Sequence, residues 1–304
     1  MAKREIVRIA YYGDGPWAHK ALVQLLELNY DVRIVVVRFD KKDERLIEIA
    51  EANGIEVSWT KNVNHSDWIE KMKAISADLA ISMSFNQIVR SELRSLFPLG
   101  FINCHAGKLP NYRGRNILNW ALINDEREIG VTCHYIDDGI DTGDIIRQEV
   151  FPIDDTDDYA TLLKKAIDLC PDVLLKAVED IKKDTVVRTP QPKLGSYFIA
   201  RKEGDEFVNW NSSSKDVFNF VRAITTPGPW ARSRVQRAKF EALVKIKKVE
   251  IITDFPNYKC INGAVVGLNA DNKPMVKTDS GAVVLSEYGS DREGFSLRVG
   301  DRLI

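Results

Sequence analysis

The chain has 304 residues, longer than one domain usually runs, so one large and one smaller domain are expected. Hydrophobic residues make up 44% and charged residues 29%, which is ordinary for a packed globular protein, and the formal net charge of -1 gives a generic polyanion binder no support. Cys104, Cys133, Cys170 and Cys260 are far apart without paired metal-ligand spacing, MAKREIVRIAYY lacks an apolar leader, and no apolar run reaches the roughly 18 residues of a membrane span, so reduced thiols, a cytoplasmic address and no membrane role are expected.

EIVRIAYYG, PWAHKALVQLLELN, DVRIVVVRF and DERLIEIAEANG alternate β-branched runs with amphipathic stretches, as strand, helix, strand, helix. IEVSW, HSDWIEKMKAIS, ADLAISMS, VRSELRSLF and FINCHA continue the pattern, which predicts an α/β fold with a parallel sheet covered by helices on both faces. Functional groups then belong at the carboxyl ends of strands, beside a switch in strand order. DDYATLLKKAIDLCPDVLLKAVEDIKKD predicts one long helix closing the first domain, and TPQPKLGSYFIARKEGDE is expected to be connector. Beyond it SSKDVFNFVRAI predicts a helix, followed by short strands broken by Gly, Asn and Asp that suggest a small all-β barrel or sandwich. The expected division is 1–200 and 201–304.

The first strand ends in Gly13-Asp14-Gly15-Pro16-Trp17-Ala18, which satisfies the G-x-G-x-x-A dinucleotide fingerprint, so a nicotinamide-dependent oxidoreductase is a rival reading. Pro16 removes a backbone donor, Trp17 crowds the approach, and the acidic candidate Asp40 lies beside Lys41 and Lys42. The plainer explanation is a tight turn with Pro16 at the first helical position.

FINCHAGKLPNYRGRNILNW leads an apolar strand straight into a polar, glycine-rich and basic loop. Asn103 and His105 alternate with Ile102 and Cys104, so an amide and an imidazole leave one face of the strand end, while Cys104 turns to the other face as a packing residue rather than a nucleophile. In VTCHYIDDGIDTGDIIRQEV a turn-rich acidic loop separates two strands and carries Asp141, which can face the same cleft. Singly, each has a plain explanation as a hydrogen-bonded histidine or a turn-forming aspartate. His134 has no obvious partner by alternation and is expected to be structural, and His19 and His65 lack companions. No metal cluster is indicated.

Asn103-x-His105, Leu109-Pro110, Tyr112-Arg113-Gly114 and Asp141-x-Gly143, in this order and spacing, resemble the 10-formyltetrahydrofolate-dependent formyltransferase family. That family includes methionyl-tRNA formyltransferase, glycinamide ribonucleotide formyltransferase and the sugar-nucleotide N-formyltransferases. The resemblance implies the formyltransferase fold, Rossmann-like with a mostly parallel sheet, and Asn103, His105 and Asp141 as catalytic residues. An amine attacking a formyl carbonyl creates an oxyanion, which Asn103 and His105 N–H groups suit, and a surplus proton, which Asp141 suits directly or through water. It also implies a pterin-contacting loop in SMSFNQIVRSEL, with Gln87, Ile88 and Val89 as candidates, closed on the other side by Asp138, Gly139 and Ile140. Backbone contacts are expected to dominate there.

Departures from the pattern bear on the acceptor. Initiator-tRNA enzymes resemble this chain less at His105-Ala106-Gly107-Lys108, at Arg113-Gly114-Arg115-Asn116, and in the short Phe39–Asp43 connector. Tyr112-Arg113-Gly114-Arg115-x-x-Leu118-Asn119-Trp120 is similar to a formyltransferase acting on a UDP-linked amino-arabinose. The expected acceptor is therefore a nucleotide-linked deoxyamino sugar of surface-glycan biosynthesis, with methionyl-tRNA as the alternative. Tyr112, Arg113 and Arg115 are expected at the substrate, the arginines on its pyrophosphate, with Asn119 on the sugar amine and Trp17 stacking on the sugar or base. From Asp205 onward there are 15 Lys and Arg against 12 Asp and Glu, a mild surplus, although Arg232, Arg234, Arg237 and Lys239 make a local basic cluster that is either a solvated face or a phosphate contact. Nucleic acid is an expected partner only under the tRNA alternative. A homodimer is allowed for, with oligomeric state open.

Overall fold

The computed structural model of the chain describes residues 7–256 and 258–304. Its elements are β1 (Arg8–Gly13), α1 (Pro16–Glu27), β2 (Asp31–Val36), α2 (Glu44–Ala52), β3 (Glu56–Ser58), α3 (Ser66–Ile75), β4 (Leu79–Met83), α4 (Ser91–Arg94), β5 (Phe101–His105), β6 (Arg113–Gly114), α5 (Ile117–Ile123), β7 (Glu128–Tyr135), β8 (Ile145–Pro152), α6 (Tyr159–Lys183) and β9 (Tyr197–Phe198). They are followed by α7 (Ser214–Ala223), β10 (Ala231–Arg237), β11 (Phe240–Ile251), β12 (Val265–Leu268), β13 (Pro274–Thr278) and β14 (Gly281–Ser290). Two compact units result: the described part of Met1–Ile117 with Glu128–Pro152 and Lys164–Phe198, and Leu118–Arg127 with Ile153–Leu163 and Ile199–Ile304.

The first unit is a seven-stranded sheet in the order β3-β2-β1-β4-β5-β7-β8. The first five strands are parallel, and the order reverses between β1 and β4 as a doubly wound sheet requires. The sheet is mostly parallel, as expected, and departs from that only at the far edge, where β7 runs antiparallel to both β5 and β8. The connector 136–144 is too short for the crossover of about a dozen residues that parallel strands need. Alternation along the strands feeds two cores: Ile9, Tyr11, Ile81, Ile102, Cys104 and Cys133 pack with α1, α2 and the Cys170–Ile181 part of α6, while Tyr12, Ile34, Ala80 and Phe101 pack with Trp68, Met72 and Leu93.

The loop after β1 takes its plainer explanation. Pro16 opens α1, and the Gly15 N–H donates to Asp43 at 2.7 Å. Asp43 also caps α2 through Leu46 N and lies 2.7 Å from His19 Nε2, so His19, expected to stand alone, has a partner. Asp40, the ribose candidate of the dinucleotide reading, is instead bound by Arg38 and Asn86.

The second unit is an antiparallel sheet ordered β10-β11-β14-β13-β12, a half-barrel with α7. Inward residues alternate as expected, with Ala231, Ser233 and Val235 buried opposite Ile246, Val244 and Ala242. A capping box between Ser213 and Asp216 starts α7. The tail curls the sheet by bridging Leu303 to Val235 and Arg302 to Ala264. No helix among the described residues is long and apolar enough to cross a membrane.

Candidate active site

Asn103 and His105 leave one face of β5, half-buried, while Ile102 and Cys104 enter the core on the other. Cys104 is 7% exposed and donates to the Cys170 carbonyl at 3.4 Å, and that pairing together with burial pushes its thiol pKa up. It has the packing role expected of it.

The antiparallel register sets Asn103 directly opposite His134. Asn103 Nδ2 lies 3.3 Å from His134 Nε2, and His134 Nδ1 lies 2.8 Å from the Tyr135 carbonyl. A carbonyl can only accept, so His134 Nδ1 carries hydrogen, and in the neutral ring Nε2 then accepts from the Asn103 amide. His134 Nε2 is also 3.5 Å from Asp141 Oδ1. The expectation that His134 has no obvious partner is therefore corrected: strand pairing supplies the partner that alternation within its own strand did not reveal.

His105 is held through Nε2, which donates to the Tyr112 carbonyl at 2.7 Å. Its Nδ1 faces Asp141 Oδ2 at 3.8 Å, beyond direct hydrogen-bond range but close enough for charge to be felt and for one small group to bridge. Asp141 accepts from Gly114 N at 2.9 Å. Burial raises its pKa, but the charge of His105 and the hydrogen bond and charge of His134, when those rings are protonated, together with the Gly114 N–H, outweigh this and hold the carboxyl well below the usual carboxylate range. The group thus stays a carboxylate beside two imidazoles, able to stabilise an added proton on either.

Two site residues hold left-handed backbone, Tyr112 at φ 60 and Asp141 at φ 54, conformations that cost about 1–3 kcal/mol each and persist only where surroundings impose them. Gly107 is required sterically, since a Cβ there would lie 2.5 Å from both His105 Nε2 and the Tyr112 carbonyl. Gln191, which lies in the stretch expected to be connector, donates to the carbonyls of Asp141 and Gly143 at 3.0 and 2.7 Å. Nothing in the sequence singled it out.

The two loops expected at the folate are joined by Arg94. Its Nη1 donates to the carbonyls of Val89 (3.1 Å) and Asp137 (2.8 Å), and its Nη2 to Asp138 at 2.6 Å. Gln87 is spent on Val63 N and the Thr60 carbonyl, so its side chain shapes the loop. Ile88 and Ile140 are exposed at 69% and 46%, apolar surface of the kind a flat heterocycle covers, while Val89 is buried and Gly139 N is tied to Asp137.

Four of the five expected substrate contacts are partly or wholly buried. Arg113 is buried, with Nη2 donating to Gln191 Oε1 and the Pro192 carbonyl, so that nitrogen is committed inside the fold, while its buried Nε has no hydrogen-bond partner. Tyr112 is buried and stacked on Phe198 at 4.9 Å between centroids. Asn119 is buried in the second unit, donating to the Ala223 carbonyl at 2.5 Å. Trp17 is half-buried against the core of the first unit. Arg115 alone of these five is exposed, one residue past Gly114.

Residues 7–178 match the formyl transferase family, and residues 201–292 match the formyl transferase C-terminal domain. A methionyl-tRNA formyltransferase of Thermodesulfovibrio yellowstonii is 31% identical over 254 residues, 80% of each chain. Among solved structures, the N-formyltransferase from Helicobacter canadensis, in complex with folinic acid and dTDP-3-aminofucose, superposes with a TM-score of 0.69 at 23% identity, covering 92% of this chain and 98% of that one. WlaRD, a sugar 3N-formyl transferase solved with dTDP and 5-N-formyl-THF, gives 0.66 at 22% identity, covering 92% and 97%. With both of its domains matched and the fold shared along nearly its whole length, this chain belongs to the formyl transferase family of enzymes.

Proposed function

We propose that the chain moves a formyl group from 10-formyltetrahydrofolate to the amino group of a nucleotide-linked deoxyamino sugar, with Asn103, His105 and Asp141 at the reacting centre and His134 beside them. The folate lies against Ile88 and Ile140, between the Gln87–Val89 and Asp138–Ile140 loops that Arg94 ties together. The second Asn103 N–H, free of His134, donates to the oxyanion formed as the amine attacks, a contribution of about 3 kcal/mol for one such donor. With Nε2–H committed to Tyr112, the neutral His105 ring offers Nδ1 as proton acceptor, so its role shifts from oxyanion donor to base. Asp141 stabilises the resulting imidazolium across 3.8 Å.

The observation that carries the acceptor assignment is the state of the arginines. Arg115 is exposed beside Gly114, whose N–H binds Asp141, and one guanidinium fork suits a pyrophosphate. In the second unit two of the four cations of the basic cluster are internally paired, Arg234 with Glu241 and Arg237 with Asp301. A surface gripping tRNA needs several such cations free for phosphates. The two sugar N-formyltransferase structures, solved with dTDP or a dTDP-sugar, support the same reading. Identity near 30% to methionyl-tRNA formyltransferases favours the second reading, transfer to charged initiator tRNA.

A panel of UDP- and dTDP-linked 3-amino and 4-amino sugars, assayed beside charged initiator tRNA with 10-formyltetrahydrofolate, decides between them. Formylation of one sugar nucleotide and not of tRNA is the expected result. Formylation of tRNA alone would overturn the sugar assignment.

A further inference from the structure

We infer that Gln191 is a positioning residue for formyl transfer, holding in one fork the loop that carries Asp141 and the segment to which both His105 and Asp141 are bound. The inference rests on the proposed roles of those two residues.

His105 and Asp141 hang from the same three-residue segment, His105 through the Tyr112 carbonyl and Asp141 through Gly114 N–H. That segment has little regular structure of its own, since β6 is two residues long and Tyr112 is left-handed. It is held from outside. Tyr112 N donates to Ser196 Oγ at 2.8 Å, Arg113 N to the Ser196 carbonyl and Arg115 N to the Phe198 carbonyl, both at 2.9 Å, so that β6 pairs with β9. Gly114 permits the approach, because a Cβ there would overlap the Phe198 carbonyl.

Gln191 closes this strap onto the site. Its amide nitrogen donates to the carbonyls of Asp141 and Gly143, either side of Thr142, and its oxygen accepts from buried Arg113 at 3.0 Å. Only a primary amide supplies two donors to carbonyls and an acceptor to a guanidinium from one planar group, and the network fixes which atom is which. A glutamate keeps the bond to Arg113 and loses both donations, while a methionine of similar length loses all three. Without the donations the left-handed backbone at Asp141 relaxes, and the carboxylate moves relative to His105 and His134.

The test compares Gln191→Glu and Gln191→Met in the full chain, using 10-formyltetrahydrofolate and the panel acceptor that the unmodified chain formylates. In both variants kcat falls about 10- to 100-fold with each KM within about twofold, as misplacement of a catalytic group by an ångström or less would give. Histidine-ring proton NMR supplies a second readout, since the chain has four histidines. The His105 and His134 resonances move in both variants, while those of His19, beside Asp43, and His65 stay in place. Unchanged kcat with unmoved His105 and His134 resonances overturns the inference, and so does a Glu variant as active as the parent while the Met variant is impaired. Should the Met variant fail to fold, the Glu variant, which retains the Arg113 bond, decides alone. Asp141→Asn run in parallel separates the layers: full activity there refutes the reading of Asp141 itself, and loss there beside a normal Gln191→Glu refutes only the strap.

Discussion

Gly107→Ala tests whether the His105–Tyr112 bond organises catalysis. The new methyl would sit 2.5 Å from both partners of that 2.7 Å bond, half an ångström inside the 3.0 Å that real Cβ contacts essentially never breach. Tyr112 cannot easily retreat, because its N–H and ring are held by Ser196 and Phe198. The imidazole yields instead, rotating away and losing the bond that fixes its tautomer. Overpacking of this kind costs about 1–3 kcal/mol, a fall in Tm of roughly 2–4 °C per kcal/mol for a chain of this size. The larger effect is on rate, with kcat reduced roughly 100-fold and KM little changed. Steady-state kinetics and thermal melting of the variant would be read against Gly289→Ala, where an added Cβ meets nothing within 4 Å. A Gly107→Ala protein with kcat within twofold of the parent would refute the reasoning.

Three further outcomes are expected. His134→Ala lowers kcat about 10- to 100-fold with little change in folate KM, because it removes the acceptor that orients the Asn103 amide; unchanged steady-state kinetics would exclude His134 from the site. Arg94→Met separates the two loops proposed to hold the folate and raises the KM for 10-formyltetrahydrofolate about tenfold while leaving that of the acceptor, and equal affinity for folinic acid by calorimetry would argue against a brace. The Asp141 carboxyl lies below its unfolded value, so its stabilisation is complete above about pH 4 and is lost as pH falls through the folded value. Melting temperatures of Asp141→Asn at pH 7 and pH 3 should therefore differ less than those of the parent.

The fold was legible because local periodicity and the order of elements decide most of a doubly wound sheet. Asn103 and His105 were legible because two residues apart on a strand means one face. His134 was not, since its partner lies 31 residues away and meets it only through antiparallel register. The burial of Arg113 was not legible for a related reason: in sequence it is a basic residue in a polar loop, and its burial involves Gln191 and Pro192, some 80 positions later. The strap itself carries Pro, Gly and Lys and has no periodicity, so its two-residue pairing with β6 lay below what patterning resolves.

The thiols beneath the site make the molecule its own gauge of local opening. Cys104, Cys133 and Cys170 are at most 7% exposed, whereas Cys260 is exposed. Burial also pushes the Cys133 thiol up, and only a thiolate attacks a disulfide reagent. One thiol should therefore label at once and three only when the core under β5 transiently parts. The slow phase then measures the free energy of that parting, the rigidity on which the placement of Asn103 and His105 depends.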